Sequence, residues 1–133
     1  MRRMLFIAVL AILIDASCKK TITHSPIPNG TYKGTFQRQI AGGGQISNVT
    51  ITFSGNTWDG KSESDQYPAL CHGTYKQIGL DSINFEDECF WTADFDWSLI
   101  LSGNYEIKLS SKRIEITRNY NGNYKDVYEL TKQ

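Results

Sequence analysis

The chain predicts an all-β domain, an antiparallel up-and-down meander of about eight strands closed into a barrel. Three observations carry this expectation. From Gly30 onward apolar and polar residues alternate with a period of two, the pattern of strands with one buried face. Turn signals rich in glycine and asparagine divide the alternating runs at short intervals. The 133 residues make one domain and leave no room for a second. A two-sheet sandwich is the alternative arrangement of the same strands.

Composition excludes some function classes at once. Lysine plus arginine and aspartate plus glutamate number 14 each, so the formal charge is zero. A broad grip on nucleic acid needs clustered excess positive charge, so no nucleic-acid partner is expected. With 40% apolar and 12% aromatic residues the chain is not a disordered one.

The first segment reads as an export signal. Arg2 and Arg3 precede an apolar run from Met4 to Ile14, followed by the small residues Ala16 and Ser17 and then Cys18. As a helix the run spans roughly half of a ~30 Å hydrocarbon core, which suits a cleaved signal and not a membrane span. With Asp15-Ala16-Ser17 before the cysteine and Lys19-Lys20 after it, the segment resembles a bacterial lipoprotein signal. The resemblance implies a signal peptide over 1–17, lipidation of Cys18 and attachment to a membrane through the acyl chains. Ordinary secretion and a retained anchor are the alternatives. Lys19 in place of an aspartate implies an outer-membrane lipoprotein, and with no acidic run after Cys18 one facing the periplasm. Loss of residues 1–17 leaves a net charge of −1. Residues 18–29 carry Pro26 and Pro28 without apolar periodicity and read as an extended tether, with the barrel domain over 30–133.

If Cys18 carries lipid, Cys71 and Cys89 remain as an even pair. An oxidising compartment favours a disulfide between them; two free thiols or a metal site are the alternatives. His72 adjoins Cys71, but neighbours on a strand face opposite sides, and the spacing lacks C-x-x-C, so no metal is expected.

The strands follow in order: 30–38, 46–54, 57–63, 71–78, 82–87, part of 99–109, 112–118 and 124–131. Tyr32, Gly34 and Phe36 share one face of the first, and Val49, Ile51 and Phe53 one face of the second. Tyr105, Ile107 and Leu109, then Ile114 and Ile116, then Tyr128 and Leu130 mark the later buried faces. Gly55-Asn56, Gly79-Leu80-Asp81, Ser110-Ser111 and Asn121-Gly122 supply the turns; Asn-Gly tolerates the positive φ angles of a tight hairpin. Gly-Thr-Tyr-Lys recurs at 30–33 and 73–76, a repeated way of starting a strand.

Gly30-Thr31-Tyr32 at the first strand, the eight-strand meander and the late Ile114–Arg118 strand together resemble the lipocalin-like domains of small bacterial lipoproteins. Lipocalins have Gly-x-Trp where this chain has Gly-x-Tyr. The resemblance implies a barrel with room for a cavity and makes Arg118 the candidate for an arginine covering the first-strand ring.

The segment Glu86 to Ser98 is longer than a hairpin needs and carries Phe90, Trp91, Phe95 and Trp97 among five acids. Such a loop is either a lid gripping a ligand at the barrel mouth or a plug closing one barrel end. Candidate ligand-binding residues are therefore Tyr32, Trp58, Phe90, Trp91, Phe95, Trp97 and Tyr105. Catalysis has little to work with: His24 and His72 are the two histidines, and no nucleophile elbow, phosphate loop or His-Glu-x-x-His run occurs. The expectation is a non-catalytic protein without cofactor that binds a small apolar ligand. The alternative is an envelope protein-interaction module with a filled core. A pocket above about 300 Å³ lined by the inward tyrosines separates the two.

Overall fold

The computed structural model describes residues 27–92 and 94–133. The signal segment 1–17, Cys18 and most of the tether lie outside these residues. The strands are β1 (Gly30–Gln39), β2 (Ile46–Ser54), β3 (Thr57–Ser62), β4 (His72–Gln77), β5 (Ser82–Asp87), β6 (Gly103–Ser110), β7 (Arg113–Tyr120) and β8 (Tyr124–Lys132). Each pairs antiparallel with the next, and β8 returns to β1, so the sheet is a closed meander barrel. Closure leaves no free sheet edge. The expected strands are all present, with ends shifted by a few residues; β6 starts at Gly103 instead of the earlier 99.

The alternation sets which residues point inward. Tyr32, Phe36, Val49, Ile51, Phe53, Trp58, Tyr75, Ile83, Phe85, Tyr105, Ile107, Ile114, Ile116, Tyr128 and Leu130 are buried in one core. Leu109 is the exception, standing exposed at the end of β6. Leu109 borders the tight turn to β7 and lies level with the buried Ile114.

The two ends differ. At the turn end the connections 54–57, 77–82 and 110–113 are short. The loop end carries 39–46, 62–72 and 87–103, together with the hairpin at 120–124. In that hairpin Asn121 and Gly122 have φ of 46° and 78°, and Asn123 donates its N–H to the Tyr120 carbonyl. The chain enters at the turn end, and it enters earlier than Gly30. Ile27 is 1% exposed within the core, the Tyr32 hydroxyl donates to the Pro28 carbonyl, and the Gly55 N–H donates to Asn29 Oδ1. Residues 27–29 thus belong to the barrel and not to a tether, because an aliphatic side chain at Ile27 fills the space beneath Tyr32.

The Cys71–Cys89 disulfide forms, joining the start of β4 to the connection after β5. Replacing both cysteines by serine is expected to lower stability by about 3 kcal/mol with the barrel retained. Denaturant titration checks it; an unchanged midpoint would mean that the bridge constrains nothing the ladder does not.

Candidate interaction surface

Aromatic rings fill the barrel. Tyr32 meets Phe53 edge-on at 5.6 Å, Phe53 meets Tyr75 at 5.4 Å, and Tyr75 meets Phe85 at 6.1 Å. Phe85 meets Tyr105 at 5.7 Å, Tyr105 meets Tyr128 at 6.4 Å, and Tyr128 meets Phe36 at 4.8 Å. Trp58 leans on Phe85 and donates its indole N–H to the Thr74 carbonyl. Each such pair contributes roughly 0.5–1.5 kcal/mol beyond simple burial. Burial also pushes the Tyr105 and Tyr128 phenols above their ordinary range, so both stay neutral. Gly34, a small residue on the inward face, leaves no space. A Cβ there would lie 1.8 Å from the Glu129 carbonyl oxygen, so the backbone of β8 occupies the place.

The expected ligand-binding set therefore divides. Tyr32, Trp58 and Tyr105 are core residues. Among the described residues, two concavities lie on the outer surface. The groove across β1, β2 and β3, of about 610 Å³, is lined by Lys33, Thr35, Asn48, Thr50 and Lys61. A groove of about 190 Å³ touches Tyr32 where residues 109–114 pass Pro28.

The loop aromatics are elsewhere. Phe90 is 98% exposed and Trp97 57% exposed, while Trp91 and Phe95 are half-buried. Trp91, Phe95 and Trp97 stand in a row, 5.6 and 6.3 Å between successive ring centres. The Trp91 indole N–H donates to Asp87 Oδ2 at 2.6 Å, which also accepts the Cys89 N–H. Glu88, Asp94 and Asp96 are exposed around them. This row does not plug the barrel, contrary to one expectation for the segment. The plug comes from two other pieces of chain. Ala69 and Ile100 form a parallel bridge, in which the Ala69 N–H donates to the Leu99 carbonyl and the Leu101 N–H to the Ala69 carbonyl. That bridge seats Leu101 in the core, with Tyr67, Leu70 and Leu99 against it.

Arg38 fastens the loop to the wall. It is inward-facing at the loop end, in the series Tyr32, Phe36, Arg38. Its guanidinium makes two bonds to Asp126, of 2.7 and 2.8 Å, and bonds Asp96 at 2.8 Å and the Ser98 hydroxyl at 3.0 Å. Their side chains are 11% exposed for Arg38 and 2% for Asp126. The stacked rings of Tyr120 and Tyr124 flank the guanidinium, at 5.3 and 4.4 Å. The Tyr120 hydroxyl lies 3.1 Å from both Asp126 Oδ2 and the Ser98 carbonyl. Hydrogen bonds from Ser98, with Arg38 beside it, hold the Asp96 carboxyl below its ordinary range. Neither Arg38 nor Asp126 was expected at a site. The signal was present: Asp126 shares inward parity with Tyr128 and Leu130, and a buried carboxylate requires a partner. Arg118 does not cover Tyr32. It pairs level with Asp126, itself level with Arg38, and lies over Tyr105 and Tyr120.

At the bridge His72 turns toward both sulfurs, its Nδ1 being 3.4 Å from Cys71 Sγ and 3.2 Å from Cys89 Sγ. The expected opposite facing of Cys71 and His72 fails because Cys71 precedes β4. Pleat alternation governs residues inside a ladder, not the residue ahead of one.

Compared with family models, curated proteins and solved structures, the chain matches none of them.

Proposed function

We propose that this chain is an exported, lipid-anchored envelope protein, and that its barrel presents the face around residues 87–98 to a protein partner. One observation carries the second part. The interior is filled with rings, while Phe90 and Trp97 stand in water. Trp97 continues the row Trp91–Phe95–Trp97, and exposed large aromatics in such a patch mark interaction sites more often than ordinary surface. The acids Glu88, Asp94 and Asp96 give the face a negative rim, so the partner that fits is a surface with an apolar anchor ringed by lysine or arginine. Cation–π contact with the tryptophans adds to that match. Export is supported by the lipoprotein-like segment ending at Cys18 and by a disulfide, which persists in oxidising compartments. The filled interior favours a partner over a small apolar ligand.

A photo-crosslinking residue placed at Phe90, in the native host, is expected to yield one discrete adduct that is lost with Trp97→Ala. The same residue at Lys112, in the exposed turn at the other end of the barrel, is expected to yield none. Equal adducts from both positions, or none from Phe90, would overturn the interaction reading; a lipid retained in native mass spectrometry would favour the ligand reading instead. Anchoring is checked separately: wild-type protein carries acyl mass and partitions with membranes, and Cys18→Ser does neither.

A further inference from the structure

Cys71, His72 and Cys89 each offer a metal-ligating atom, and the three atoms lie within 4.8 Å of one another. The imidazole is exposed, and its Nδ1 is within 3.4 Å of one sulfur and 3.2 Å of the other. We propose that the reduced cysteine pair and His72 form a three-ligand Zn²⁺ site with its fourth position open to water. Disulfide and metal are then alternative occupants of the same three residues.

Distances favour this. Around tetrahedral zinc, with Zn–S of about 2.3 Å and Zn–N of about 2.0–2.1 Å, a sulfur and a nitrogen ligand stand roughly 3.6 Å apart. Both nitrogen–sulfur separations are already close to that value. The main change needed is between the sulfurs, which must part to roughly 3.8 Å. Cys71 precedes β4 and Cys89 follows β5, so the sulfurs can part without breaking the ladder of either strand. The donor set suits the metal as well: two thiolates and a neutral imidazole with one open position are a known zinc arrangement.

The chemistry balances with a dithiol as reductant. The dithiol gives two electrons and two protons to the Cys71–Cys89 bond, which breaks, and itself closes to a disulfide. On binding Zn²⁺ the two new thiols release two protons to water, and His72 contributes a lone pair from Nδ1. The metal would then clip the connection before β4 to the connection after β5, as the bridge does in the oxidised protein. None of this depends on the aromatic face having a partner.

The test uses the full chain carrying Cys18→Ser, so that no third thiol competes. It is reduced with a dithiol, freed of it without air, and titrated with Zn²⁺ alone. One Zn²⁺ per chain is expected for the reduced protein and none for the oxidised. His72→Ala is expected to bind at least about tenfold more weakly when reduced. Co²⁺ in place of Zn²⁺ is expected to show a sulfur-to-metal charge-transfer band that His72→Ala shifts. Equal affinity with and without His72, or equal binding by oxidised and reduced protein, would overturn the site. If reduction loosens the barrel, Zn²⁺ is expected to restore the β-sheet circular dichroism of the parent and not of His72→Ala. Restoration of both, or of neither, is equally fatal.

Discussion

Arg38→Ala is expected to destabilise the barrel by about 3–5 kcal/mol, because it strips the buried Asp126 carboxylate of the cation hydrogen-bonded to it. Asp126 is nearly sealed from solvent, and its remaining partner is the Tyr120 hydroxyl. The variant should also release the aromatic face, since Arg38 bonds Asp96 and Ser98 in the same grip. Chemical denaturation measures the first effect, and tryptophan fluorescence, through Trp97 beside these residues, reports the second. The double variant Arg38→Met/Asp126→Leu separates them. Replacing a buried pair by apolar side chains of similar volume is often neutral or stabilising, so most of the stability should return. The hold on Asp96 should not. If Arg38→Ala proves as stable as the parent, the pair contributes nothing and the loop is held by its other ties, the Ala69–Ile100 bridge, the Tyr120–Ser98 bond and the disulfide.

Gly34→Ala is the second large effect, at least about 3 kcal/mol, beyond the ordinary range for one added methyl in a well-packed core. The new Cβ would lie 1.8 Å from the Glu129 carbonyl oxygen and 2.9 Å from Leu130 Cα. Both are backbone atoms of β8, so no side chain can rotate away. The seam between β1 and β8 must shift, and that seam closes the barrel. Gly79→Ala is the control. A Cβ there meets the Ser82 side chain at an ordinary 3.5 Å, and its effect on the thermal midpoint should be small. Equal midpoints for the two variants would mean that the seam yields at little cost.

The strands were legible because their signal is local. Val49, Ile51 and Phe53 alternate against threonines, and a half-buried strand is the simplest structure that uses such alternation. Asn121-Gly122 announced its hairpin for the same reason, and setting Cys18 aside as the lipidation candidate leaves Cys71 and Cys89 as the pair. The loop end was not legible in this way. Its plug depends on Ala69 meeting Ile100, two residues far apart in the chain that no periodicity connects. The sequence places Phe90, Trp91, Phe95 and Trp97 in one segment, and in the structure Trp91, Phe95 and Trp97 form a row. Leu101 sits in the core with Leu70 packed against it, while Phe90 and Trp97 stand exposed. The inward tyrosines were recognised as buried, but whether they line a cavity or fill it depends on how the rings meet across the barrel.

The first described residue, Ile27, and the last strand residue, Lys132, leave at the same end, whereas the aromatic face lies at the other. Force applied between Ile27 and a partner held at residues 87–98 would run along the strand axes. It would load the hydrogen bonds of β1 with β2 and β8 in shear, all at once, instead of peeling them one at a time. Pulling Ile27 away from Gln133 would do the reverse and unzip the β1–β8 seam from its open end. Built this way, the molecule is mechanically strong in the direction that joins a fixed base to a distant load, and weak across its own termini.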